Sequence, residues 1–149
     1  MACELKVRNF KNSKDEEVVV SVRQLPASRA LELYTELMVK VGASAFAFIE
    51  DKYNFGDILV LLRSSQDHKK TSELVKSVVC CANVDGKELK PALFDSRFDG
   101  ELMLVCKVFS FVLEVNFKDF FMQGIKLNEQ RLSEAEETSA TEEQKNLSE

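Results

Sequence analysis

The stretch Glu101-Leu102-Met103-Leu104-Val105-Cys106-Lys107-Val108-Phe109-Ser110-Phe111-Val112-Leu113-Glu114-Val115-Asn116-Phe117 decides the fold. Asp99 stands where it can cap a helix from about Gly100 to Phe117, and only Glu101, Lys107 and Glu114 put charge into that helix. A helix apolar almost all round is either central in a core or shared with a partner. The chain has 149 residues, about one domain by length. Covering every face of this helix from within so short a chain is difficult, so self-association or a bound client is expected to cover the rest.

Upstream, the elements available to pack on it follow from local patterns. Leu5, Val7 and Phe10, then Val18 to Val22, read as two strands joined by the polar Lys11–Asp15 stretch, a β-hairpin. Two strands alone are marginal and need something to pack on. Pro26 is suited to the first position of a helix. Ala30, Leu31, Tyr34, Leu37, Met38, Val41, Ala45 and Phe48 then recur at spacings of three and four, a helical stripe. Gly42-Ala43-Ser44-Ala45 interrupts it with small residues and predicts a bend or a close packing contact. Asn54 and Asp57 have capping-box spacing before Ile58-Leu59-Val60-Leu61-Leu62, which predicts a short buried helix. A further helix is expected from about Asp67 to Ala82, with Leu74, Val75, Val78, Val79 and Ala82 on one face. It ends at the Asn83-Val84-Asp85-Gly86 turn, and a polar-aromatic connector, Leu93 to Phe98, follows Pro91.

Downstream, the composition changes. Residues 127–149 hold 7 acidic and 2 basic side chains, so the whole net charge of −5 sits there and the first 126 residues are neutral. Such a segment buries too little apolar surface to offset the entropy of ordering. The expected fold is mainly α: a compact bundle of about four to five helices (26–122) with a short N-terminal β-hairpin (1–24). It forms one globular domain over 1–125, followed by a disordered acidic tail over 126–149.

These features also exclude functions. A neutral body with an acidic tail repels phosphate backbones, so no nucleic-acid partner is expected. No apolar run is long enough to cross a bilayer and no signal-peptide pattern is present. Cys3, Cys80, Cys81 and Cys106 read as free thiols of a reducing compartment, and a soluble intracellular protein is expected. His68 lies in a polar stretch beside Lys69 and Lys70 and reads as a surface residue. Neither a metal-ligand spacing nor a glycine-rich phosphate loop occurs. Asp95 and Asp99 are four apart, and paired carboxylates can do acid–base work, but helix capping accounts for Asp99 more simply. No catalytic, cofactor or metal residues are expected, and no enzyme.

Three motifs carry a resemblance. Val84-Asp85-Gly86-Lys87-Glu88-Leu89, Phe94-Asp95-Ser96-Arg97-Phe98-Asp99-Gly100 and Phe109 to Phe121 (FSFVLEVNFKDFF) are similar to the C-terminal half of phage tail assembly chaperones. Those proteins show a VDGK-L turn, an F…HF-G connector and an LEVN(F/Y)-DFF stretch. The resemblance spans about 16–124 and is strongest over 84–121. It departs at the N-terminal ribbon and at Ser96-Arg97, where a histidine is often seen. It implies a protein that binds the tape measure protein of a long-tailed phage and keeps it soluble until the tail tube polymerises around it. Contact with the tail tube protein, residence in the host cytoplasm and departure before the virion is complete are also implied. Flexible or surplus apolar residues suit a tolerant surface for helical clients. The candidate contacts are Phe109, Val112, Phe117, Phe120, Phe121, Met103 and Met38. The rival readings are a structural virion subunit, such as a tail-completion or neck adaptor protein, and a small DNA-binding regulator.

Overall fold

The computed structural model describes residues 5–63 and 68–147. Cys3, Asp67 (the expected start of a helix) and the side chain of His68 lie outside what is described. Strands β1 (Leu5–Lys11) and β2 (Glu17–Arg23) form the expected hairpin, with Leu5 opposite Arg23 and Lys11 opposite Glu17. Asn12 shapes its turn: the side-chain carbonyl accepts from the N–H groups of Lys14 and Glu16, both at 2.9 Å. Alternation along β2 buries Val20 and Val22 and leaves Val19 outside.

The ribbon is half of a larger sheet. Strand β3 (Ala82–Val84) pairs with β2, β4 (Lys87–Glu88) pairs with β3, and the order is β1-β2-β3-β4, antiparallel throughout. This corrects the helix expected to reach Ala82, since α4 (His68–Val79) stops earlier and residues 82–88 make a second hairpin. Asp85 (φ 51) and Gly86 (φ 79) both occupy the left-handed region, as a two-residue primed turn requires. The Val19 carbonyl accepts from the Asp85 N–H at 2.7 Å, and the Val19 N–H donates to Asp85 Oδ1 at 3.0 Å. The turn is thereby stitched to a strand sixty-six residues earlier, a pairing that local periodicity does not register.

Helix α1 (Ala27–Lys40) follows Pro26, which stands at the cap rather than inside the first turn. Its buried residues are Leu33 and Leu37, whereas Leu31 of the expected stripe is 65% exposed. At Gly42 the chain breaks: φ is +75° and a 3₁₀ turn (Gly42–Ser44) leads into α2 (Ala45–Ile49). A Cβ there would meet nothing within 4 Å, so backbone conformation and not close packing demands the glycine. Helix α3 (Phe55–Arg63) starts on the predicted capping box, Asn54 Oδ1 accepting from the Asp57 N–H (3.0 Å) and Asp57 Oδ2 from the Asn54 N–H (2.8 Å). Its expected burial is corrected, because only Ile58 and Leu61 enter the core.

A 3₁₀ turn (Pro91–Leu93) and the short α5 (Phe94–Phe98) replace the expected connector. Asp99 closes α5 instead of capping the last helix, α6 (Leu102–Leu147), whose first turn hangs on the Glu101 carbonyl accepting from the Val105 N–H at 3.1 Å. The chain divides into two compact units at Lys118/Asp119. Within the first, α6 is central. Leu104, Val105, Val108, Phe109, Phe111, Val112, Leu113 and Phe117 are all buried. Phe109 and Phe111, about 200° apart on the helix, meet opposite neighbours: Phe109 lies edge-on to Phe48 at 5.6 Å, and Phe111 to Phe10 at 5.8 Å. Buried Ser110 donates to the Phe48 carbonyl at 2.8 Å. The chain therefore covers this helix itself from Leu104 to Leu113.

Polar contacts anchor the hairpin to α6. Arg8 holds both Glu114 oxygens (2.9 and 3.1 Å), reaches Asp51 at 3.3 Å and lies 4.6 Å over the Phe111 ring. The hydrogen bond to Glu114 raises the guanidinium's pKa further above its usual value. Asn116 Oδ1 accepts from the Leu25 N–H at 2.8 Å, and Ser13 donates to Glu101.

The second unit extends α6 past its expected end at Phe117, through Leu147. Residues 122–136 are exposed throughout, so composition is right that no core forms here. Helix α6 runs on through Leu147, since helix hydrogen bonds are local and form without a core.

In urea denaturation, an Arg8→Ala/Glu114→Ala double-mutant cycle is expected to give a coupling of about 1 kcal/mol that shrinks with salt; zero coupling removes this pair from the account of the hairpin. Phe109→Ala should cost about 3–5 kcal/mol, and Leu102→Ala less than about 0.5 kcal/mol.

Candidate partner-binding groove

Apolar surface that the core does not absorb collects in one place. On α3, Phe55, Leu59 and Leu62 stand at i, i+4 and i+7 and share a face, 62%, 38% and 56% exposed. Leu102 and Met103, opening α6, are 80% and 46% exposed. Between these two ridges runs a groove of about 630 Å³, with α5 and α4 completing it through Phe94, Phe98, Val75 and Lys76. Ile58, Phe98 and Val105, all buried, form its floor. Phe94 and Phe98 pack ring to ring at 5.1 Å, and the Lys76 ammonium lies 5.3 Å over the Phe94 ring.

Chemically the groove offers contact area. Cys106 lines it, but burial pushes its thiol up, away from the thiolate a nucleophile needs. Asp95 and Asp99 stand exposed on the rim. Among the described residues no group of three or more His, Cys, Asp or Glu side chains could hold a metal ion, and no helix is long and apolar enough to cross a membrane.

Of the expected contact residues, only Met103 lines this groove. Phe109 and Val112 are fully buried and Phe117 is 3% exposed against Tyr34 (ring centroids 5.5 Å apart). These three are corrected from surface to core: the sheet and the helices already occupy the faces that a partner was expected to cover. Met38 is half-buried on α1, outside the groove lining. Phe120, 57% exposed, and half-buried Phe121 belong to the unit from Asp119 onward. The residues missed are Phe55, Leu59, Leu62, Phe94 and Leu102. One signal for them was present: a nine-residue helix with six large apolar side chains, Phe55, Ile58, Leu59, Val60, Leu61 and Leu62, has more apolar surface than one core-facing stripe can bury.

The motifs that carry the family resemblance have structural work. Asp85 of the VDGK turn bonds β2 and receives Arg97 at 2.7 Å, while Glu114 and Asn116 of the LEVN stretch hold β1 and the start of the helical region. No curated protein and no solved structure matches the chain. A family model described as "Phage tail assembly chaperone protein, TAC" matches residues 16–129, close to the span of the resemblance. On that match, which covers well over half of its length, the chain belongs to the phage tail assembly chaperone family.

Proposed function

We propose that this protein binds the tape measure protein, holding an amphipathic helix of it in the groove between α3 and the start of α6, and keeps it soluble until the tail tube polymerises around it. The observation that carries this reading is the groove itself: two exposed apolar ridges flanking a buried apolar floor, the form that receives a helix presenting residues at i, i+4 and i+7. A surface this apolar concentrated in one patch signals a partner. Family membership supplies the context of tail assembly. In this reading the protein works in the host cytoplasm, meets tube subunits while loaded, and is absent from the finished virion. The acidic stretch after Lys126 helps keep the loaded complex soluble.

Co-expression with the tape measure protein of the same phage tests the reading. The wild-type chain should bring the client into the soluble fraction and co-elute with it. Leu59→Asp with Leu102→Asp should abolish both while the far-UV circular dichroism and Tm stay close to wild type, as both side chains are exposed. A folded wild-type chain that leaves the client insoluble and unbound overturns the reading. Mass spectrometry of purified virions that finds the chain at stoichiometric amounts transfers the assignment to a structural subunit.

A further inference from the structure

The groove has a charge asymmetry that an apolar client alone does not satisfy. Asp95 and Asp99 lie one turn apart, joined by the Asp99 N–H donating to the Asp95 carbonyl at 2.8 Å, and both residues line the groove. Like charges at this spacing repel. Among the described residues neither carboxylate has an ion-pair partner. Arg97, between them in sequence, is committed to Asp85 at 2.7 Å, and Lys76, the cation that lines the groove, sits on the Phe94 ring. An apolar helix laid across the groove would displace part of the water around these exposed carboxylates and return no hydrogen bond, which costs free energy even at a partly exposed site. A helix carrying Lys or Arg beside its apolar ridge replaces the lost water with charge-assisted hydrogen bonds.

We propose that the groove selects amphipathic helices whose apolar ridge is flanked by basic side chains, with Asp95 and Asp99 as the residues that read them. This rests on the groove being the client site, and it adds the client's chemistry: apolar at i, i+4 and i+7, basic along the edge that faces α5.

Two synthetic helical peptides with one apolar ridge, flanked by Lys in one and by Glu in the other, test it by fluorescence anisotropy against the full chain. The Lys peptide should bind about five- to tenfold more tightly, the gain of two partly exposed ion pairs. The preference should shrink as salt rises from low to high, and it should disappear in Asp95→Asn/Asp99→Asn with the Glu peptide's affinity unchanged or improved. Leu59→Gln/Leu102→Gln should weaken both peptides, which separates the groove from the acidic stretch beyond Lys126. Equal affinities for the two peptides, or a preference that survives Asp95→Asn/Asp99→Asn, overturns the charge inference and leaves the groove reading standing, whereas Lys-peptide binding that survives Leu59→Gln/Leu102→Gln places the peptide outside the groove and overturns both. If neither peptide binds and the tape measure protein also fails to co-elute, the groove reading falls with it.

Discussion

A helix that is apolar on every side has to be covered on every side, and that constraint on residues 104–113 organises the rest of the first unit. With 3.6 residues per turn, Phe109 and Phe111 cannot share a neighbour. One therefore needs α2, where Phe48 meets it, and the other needs the sheet, where Phe10 and Arg8 do. The sheet must then be wide enough to serve as a wall, and β3 and β4 widen it beside β2. Every buried side chain on the inner face of β2 and β3 (Val20, Val22, Ala82, Val84) is apolar. Hydrophobic burial sets how strongly these layers associate, but it has no direction along the helix. Directional contacts supply the register: the Arg8–Glu114 fork, Asn116 to Leu25, and Ser110 to the Phe48 carbonyl.

This division of labour accounts for the family motifs. Glu114 and Asn116 lie one residue either side of Val115, so they point to different parts of the helix surface and fasten different segments. Asp85 performs three tasks at once: it adopts a positive φ, bonds β2 just beyond the end of β3 through Val19 and fixes Arg97. An aspartate tolerates that conformation better than most residues. The first and third motifs maintain the scaffold, whereas the second, Phe94 to Gly100, puts Phe94, Asp95, Phe98 and Asp99 along the groove. The groove's exposed apolar ridges of Phe55, Leu59, Leu62, Leu102 and Met103 fall outside the motifs.

What could be read from the sequence follows the same boundary. The first hairpin, the Asn54–Asp57 capping box and the central helix were legible because each depends on neighbours within a few positions. The β2–β3 pairing was not, since Val20 and Val84 are far apart in the chain and Ala82-Asn83-Val84 carries no strand pattern of its own length. Exposure was the hardest property to infer. Phe109 and Phe55 are the same residue type in locally apolar helical stretches, yet one is fully buried and the other 62% exposed. The difference lies in how many elements surround each helix, a tertiary quantity. The stretch after residue 126 falls on the same boundary: composition measures whether a segment can build a core, and residues 122–136, exposed throughout, build none.

The two walls of the groove differ physically in a way that bears on recognition. The α6 wall grows from the most buried helix of the fold, so Leu102 and Met103 are presented from a rigid base. The α3 wall is anchored by two buried side chains, Ile58 and Leu61, and by the capping box at its start. Its other large side chains on the groove, Phe55, Leu59 and Leu62, stay exposed. The α3 wall therefore offers apolar area that the fold itself does not use, whereas the α6 wall offers apolar area continuous with the core, and a client covering both would bury surface that folding leaves in water.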